Sequence, residues 1–177
     1  MFRIGVVVEG ACDIAALPIL IKKCRNDASV IPRECRGPIF YKFPRILDEL
    51  ERCRTIDKAL VICDADGEQP RTLMTRMRRG LAGHRYGFPV EPVVIVQELE
   101  AWLLADEEAL QSVVGIRTLF RSPEDRHDPK RELVRLVSQT GQVYDHALAG
   151  RIAEAIRIPI LSKRCPSFVK FRNAITR

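Results

Sequence analysis

The sequence predicts an α/β fold: a four-stranded, mainly parallel sheet flanked by helices, with a helical C-terminal extension. Three observations predict it. Short β-branched runs alternate with amphipathic stretches as far as Val96, the pattern of repeated strand–helix–strand crossovers. Two of those runs, Val6-Val7-Val8-Glu9-Gly10 and Val61-Ile62-Cys63-Asp64-Ala65-Asp66-Gly67, end in carboxylates and break at a glycine, which puts acid at the carboxyl ends of strands. Beyond Val96 only helical patterns follow. The expected division is a core over residues 1–106 and a basic helical extension over 107–177 packed on it.

Residues 2–8 are short and β-branched and read as a buried strand. Asp13 opens a helix to about Lys23, with Ile14, Leu17, Ile21 and Cys24 at spacings of three and four. Pro18 is awkward inside it, because an interior proline costs about 3 kcal/mol; the helix either starts later or kinks there. Residues 29–35 form a second strand whose Pro32 suits an edge position. Phe43-Pro44 precedes an amphipathic helix from Ile46 to Arg54, and Lys58 to Cys63 is the third strand. Pro70 starts a helix lined by Leu73, Met77 and Leu81, whose other face bears Arg71, Arg76, Arg78 and Arg79. Val93 to Val96 is the fourth strand, and Glu98 to Leu104 begins the next helix. Residues 121–129 are polar, contain two prolines and read as a loop or lid, followed by helices at about 130–139, 145–157 and Ser167 to Ile175.

A chain of 177 residues with 46% apolar content can build a sizeable core, which excludes disorder. No apolar run reaches the roughly 18 residues needed to cross a bilayer, and the chain enters a strand directly, so a cytoplasmic protein without a membrane partner is expected. The six cysteines form no CxxC pair and fit no zinc spacing with His84, His127 or His146; they read as small apolar residues. The formal charge of +6 is uneven: residues 117–177 hold 13 basic against 6 acidic side chains, whereas residues 1–116 are nearly neutral. A basic C-terminal third suits a polyanion such as RNA or DNA, or else a solvated face.

In an open parallel sheet ligands bind beyond the carboxyl ends of the strands, so Glu9, Asp64 and Asp66 can meet at one rim. Phosphodiester chemistry needs a divalent metal to neutralise developing charge and to lower the pKa of an attacking water. Mg²⁺ suits such a rim, since it prefers hard oxygen ligands and takes only one or two carboxylates directly; Mn²⁺ can substitute. Asp-x-Asp after the third strand can reach one ion, with Glu9 holding a second or acting as general base or acid.

This order of strand-Glu, helix, strand, helix and strand-Asp-x-Asp resembles the Toprim domain of topoisomerases, bacterial primases, recombination proteins and the overcoming-lysogenization-defect nucleases. Val-Glu-Gly-x-x-Asp at 8–13, Glu-Leu-Glu-Ala-Trp-Leu-Leu-Ala-Asp at 98–106, Pro129-Lys130 and Cys-Pro-Ser-Phe at 165–168 narrow the resemblance to a Toprim-related bacterial family of formerly unknown function. Some of its members are nuclease effectors paired with ATPases in phage defence. The resemblance implies a Toprim-like, Rossmann-like core, Glu9, Asp64 and Asp66 as catalytic and metal-binding residues, and Glu98 and Glu100 as further metal ligands. It also implies an outer-ligand role for Asp13, which otherwise reads as a helix cap. The loop departs from relatives at Ala11 and Cys12.

Lys130, Lys163 and Arg164 are candidates to hold the scissile phosphate, and Trp102, Leu103 and Leu104 read as core. Glu98 and Glu100 lie two apart and diverge on a regular helix, so an irregular strand-to-helix junction is needed, with Glu100 oriented by Trp102. Asp106 caps the segment after it. The leading reading is a Mg²⁺-dependent nuclease or phosphodiester-processing enzyme acting on nucleic acid. The alternative is a silent subunit regulated by an ABC-type or AAA ATPase, consistent with the lack of a phosphate-binding Gly-x-x-x-x-Gly-Lys-Ser/Thr loop in this chain. A haloacid-type phosphatase fits poorly, because Glu9 stands where its nucleophilic Asp-x-Asp belongs.

Overall fold

The computed structural model describes residues 1–53 and 56–177. Four parallel strands, β1 (Phe2–Val8), β2 (Ala28–Glu34), β3 (Lys58–Asp64) and β4 (Val90–Ile95), form one sheet in the order β2-β1-β3-β4. Pro32 stands on an edge strand, where its missing N–H costs no ladder bond. Three helices make the crossovers: α1 (Ala11–Cys24), α2 (Ile39–Cys53) and α3 (Pro70–Leu81). The chain leaves β1 to one side for β2, then returns to the other side for β3. A switch point thus lies between β1 and β3, where the carboxyl ends diverge into a crevice.

Alternation along the strands builds two cores. Ile4, Val6, Leu60, Ile62, Val93 and Ile95 face one side with Leu17, Leu20 and Ile21 of α1. Val7, Ala59, Val61, Cys63 and Val94 face the other, against Phe43 and Leu47 of α2 and Leu73 and Met77 of α3. Gly5 is needed for the second of these: a Cβ there would come within 2.9 Å of Ile56 Cδ1 and 3.1 Å of Leu50 Cδ1.

The α1 side is covered by the rest of the chain, in α4 (Leu99–Leu103), α5 (Glu107–Val114), α6 (Pro129–Ser138), α7 (His146–Ala155), α8 (Ile158–Arg164) and α9 (Pro166–Thr176). Their buried residues, among them Trp102, Leu133, Ile152, Phe168 and Phe171, belong to the same cluster as β1 and α1. Trp102 is fully buried and packs edge-on to Phe168, with ring centroids 5.1 Å apart. Asp106 N-caps α5 and is held by Arg157, whose Nη2 lies 2.7 Å from Oδ1.

Several boundaries differ from the sequence expectation. Pro18 and Pro44 both lie inside helices, and α1 begins at Ala11 while α2 begins at Ile39. Burial of Leu17, Leu20, Phe43 and Leu47 outweighs the lost backbone bonds. The expected end of the second helix, Arg54, lies outside the described residues. β4 starts at Val90 rather than Val93, and α8 had no counterpart in the sequence reading. Among the described residues no helix is long and apolar enough to cross a membrane.

The polar segment 121–129 is a loop anchored in the core. Pro123–Asp125 forms a 3₁₀ turn that buries Glu124, whose Oε1 accepts from Trp102 Nε1 at 3.3 Å and from the Ser167 N–H at 3.1 Å, and also from the Ser167 hydroxyl. Burial pushes the Glu124 carboxyl upward, opposed by these donors. Glu124→Ala should leave the Ser167 N–H unpartnered and cost about 2–3 kcal/mol, read as a lower urea midpoint with unchanged slope. Glu124→Gln, which keeps an acceptor, should lose less.

Candidate functional site

The carboxyl end of β1 delivers Glu9, and that of β3 delivers Asp64, on either side of the switch point. They meet: the Asp64 N–H donates to Glu9 Oε2 at 3.3 Å. Gly10 caps α1, and Asp13 at the third helical position accepts the Gly10 N–H at 3.0 Å, closing a capping box. Asp13 therefore caps from inside the helix, and its buried carboxylate faces Glu9, Glu100 and Asp64.

Asp66 stands in a tight turn. The Glu68 N–H donates to Ala65 O at 2.7 Å, and Asp66 and Gly67 between them have φ of 46° and 80°. Positive φ at both central positions marks a type I′ turn, which suits glycine and tolerates aspartate. Gln97, at φ 63°, is the other non-glycine residue in this region of backbone space among the described residues. Its carbonyl accepts the N–H of Ala65 at 2.8 Å and of Asp66 at 3.0 Å, so two strained positions brace each other at the ends of β3 and β4.

The irregular junction expected after β4 is present. Glu98 is extended as the N-cap of α4, while Glu100 is buried in its first turn. Glu98 Oε2 accepts the Lys130 N–H at 3.0 Å, at the start of α6, where unpaired amides favour an anion. Glu100 is oriented by Tyr144 rather than by Trp102: the Tyr144 hydroxyl donates to Glu100 Oε1 at 2.9 Å and also contacts the Cys12 thiol. The Trp102 indole is instead committed to Ser167 and Glu124.

Crowding shows in the acidities. Burial raises Asp64 well above the ordinary carboxylate range, with repulsion from Asp13, Glu100, Asp66 and Glu9 adding to it. Burial also raises Asp13, to about 6, against the opposing Gly10 N–H. Glu9 and Glu98 are raised by desolvation, each partly offset by its backbone donor. Desolvation pulls Lys130 down, yet Glu100, Glu98 and Asp64 outweigh it and hold the ammonium above its usual value. Lys130 is the cation that stands among these acids.

Of the eight residues expected at the metal and the phosphate, six, Glu9, Asp64, Asp66, Glu98, Glu100 and Lys130, are thus neighbours in one electrostatic field. Lys163 and Arg164 are not drawn into it. Arg164 donates to Ala105 O at 2.7 Å, beyond the end of α4, and Lys163 is exposed in the last turn of α8. Among the described residues no three His, Cys, Asp or Glu side chains converge to clasp an ion unaided. The donor set nevertheless suits Mg²⁺, which needs one or two hard carboxylate oxygens and fills its remaining positions with water. Tyr144 and Gln97 had no signal in the sequence: one acts through a contact 44 positions away, the other through its backbone.

Residues 8–176 match a family described as a domain of unknown function, DUF4276. The chain belongs to it. Two solved structures resemble this DUF4276 chain, both of the C-terminal region of the OLD protein of Xanthomonas campestris pv. campestris. The one phased with iodine is 17% identical, with 99% of this chain and 96% of that chain covered and a TM-score of 0.43. The one phased with platinum is 16% identical, with 98% and 94% covered and a TM-score of 0.43. No curated protein matches the DUF4276 chain.

Folded protein keeps the Asp13 proton to about pH 6, while the unfolded chain releases it near 3.8. Between those values folding takes up protons, so this group lowers stability as pH rises through the window and leaves a constant penalty above it. Asp13→Asn keeps an oxygen for the Gly10 N–H and removes the charge. In EDTA at neutral pH it should melt higher, by about 2–4 °C per kcal/mol relieved, and scanning calorimetry should show a flatter profile between about pH 4 and 6. An unchanged melting temperature would mean that Asp13 feels no crowding.

Proposed function

We propose that this chain is a cytoplasmic, Mg²⁺-dependent, Toprim-like enzyme that cuts or processes phosphodiester bonds of nucleic acid, Mn²⁺ substituting. The supporting observation is the gathering of Glu9, Asp13, Asp64 and Glu98, all with raised proton affinities, at the switch point of a parallel sheet. Acids assembled against their own repulsion serve ligand binding better than stability.

Asp64 and Asp66, with Glu9, are the residues to hold metal, and Glu98 and Glu100 flank them. Bound metal would offset the negative charge that develops on a phosphate and acidify a water. The remaining work falls to the chain. Glu9, its proton affinity raised, would be the group to take a proton from an attacking water. Tyr144 fixes Glu100, and the Lys130 ammonium is available to a phosphate oxygen. Asp64→Asn is expected to lower Mg²⁺-dependent cleavage of single-stranded or duplex DNA or RNA at least about a hundredfold without loss of fold. Intact substrates with wild-type protein in both Mg²⁺ and Mn²⁺ would reject the proposal.

One observation favours a second reading. Lys130 already stands among the acids, and no three of them converge among the described residues. That arrangement fits a subunit held silent until a partner ATPase, of ABC or AAA type, reshapes the rim, as in a phage-defence pair. Cleavage that starts only when such an ATPase and ATP are added would favour this reading over an autonomous enzyme.

A further inference from the structure

The outer face of α3 is a second feature that local stability does not explain. Arg71, Thr72, Thr75, Arg76 and Arg79 line a shallow cleft of about 420 Å³ on it, with no acidic side chain in its walls. The helix holds four arginines and no acid over Pro70–Leu81, and its first turn bears Arg71 where the helix dipole disfavours a cation. Arg76 reaches Glu68 at 3.4 Å and stacks over Phe40. Arg71 and Arg79 have no ion pair among the described residues, and both are exposed.

Other basic surfaces differ. Arg157 is paired with Asp106 and Glu108, Arg135 with Glu132, and Arg164 with a backbone carbonyl. The groove near Arg131 also contains Asp128 and Glu132, and the cleft at Arg78, Lys170 and Arg177 contains Glu91. In the C-terminal third Arg135 and Arg157 are paired with acids and the clefts near Arg117, Arg126 and Arg131 contain carboxylates, whereas the α3 cleft has none in its walls and, of its arginines, Arg76 alone has an ion pair among the described residues. The position of α3 matters equally: Pro70 follows Asp66 by four residues, so the guanidinium row starts at the acidic rim and runs away from it along the helix.

We propose that this face of α3 is the track for the phosphate backbone of a nucleic-acid strand, leading a phosphodiester to the Asp64–Asp66 rim. It rests on the nucleic-acid reading above and names the surface that holds the substrate. Arg71 and Arg79 contact successive backbone phosphates, Thr72 adds a hydroxyl donor, and Thr75, whose hydroxyl donates to Arg71 O at 2.9 Å, stays within the helix.

Binding of fluorescent single-stranded and duplex oligonucleotides by the full chain, in EDTA to prevent cutting and across a salt series, tests this. Arg71→Gln/Arg79→Gln should bind on the order of tenfold more weakly at low salt and lose about 1.4 from the log–log salt slope for single strands, at roughly 0.7 per phosphate contact. Arg131→Gln/Arg151→Gln removes the same charge from the opposite side of the sheet and should retain nearly wild-type binding, with matching melting temperatures confirming that both variants fold. Equal losses in the two pairs, or binding unchanged by the α3 pair, would overturn the track while leaving the nuclease reading intact. Failure of the wild-type chain to bind any oligonucleotide would overturn both, as would displacement only by an acidic polypeptide such as polyglutamate.

Discussion

Repulsion between carboxylates is the constraint around which the carboxyl-end rim is arranged. Asp64 and Asp13 are desolvated within one another's field, and each would be costly if ionised without partners. The fold answers with single donors rather than with salt bridges. Gly10 N–H serves Asp13, Asp64 N–H serves Glu9, Lys130 N–H serves Glu98 and Tyr144 O–H serves Glu100. Each donor comes from a different element, so the rim can exist only when β1, β3, α4, α6 and the segment before α7 are all in place.

That dependence explains what the sequence could and could not disclose. The four strands, the edge position of the one with Pro32 and the carboxylates after β1 and β3 follow from periodicity and punctuation, which are local properties of β-branched runs, prolines and glycines. Pro18 and Pro44 misled because the rule against interior proline is a local energy, and tertiary burial on α1 and α2 exceeded it. Tyr144 and Glu124 were invisible for the opposite reason. Neither has a neighbour in sequence that signals a role, and each becomes important through partners brought from 22 to 44 residues away. The backbone contribution of Gln97 is equally silent, since a residue's φ leaves no trace in composition when glycine is not used.

Charge shows the same limit in another form. The basic surplus counted along the C-terminal third points to that third as the anion-binding region, but a count ignores pairing. In three dimensions Arg157 and Arg135 are tied to acids and the clefts near Arg117, Arg126 and Arg131 contain carboxylates, while the cleft on α3, in the nearly neutral part of the chain, has none in its walls and Arg71 and Arg79 there have no ion pair among the described residues. Because long-range attraction depends on uncompensated charge, the local geometry of a helix can outweigh the sum over sixty residues.

The two faces of the sheet therefore have different parts to play. On the α1 side, α4 to α9 complete the larger core and bring Lys130 and Tyr144 to the rim, so that side is committed to packing and to holding the acids in position. On the other side only α2 and α3 cover the strands, and the first turn of α3 begins where the Asp66 turn ends. A long polyanion approaching the rim along the α1 side would meet packed helices. Along α3 it meets an exposed row of cations that runs directly into the carboxylates. A metal ion between the two would have opposite charges on either hand, acids beneath it and a phosphate before it. On the proposed nucleic-acid reading, that arrangement would let a rim so negative accept a substrate of the same sign.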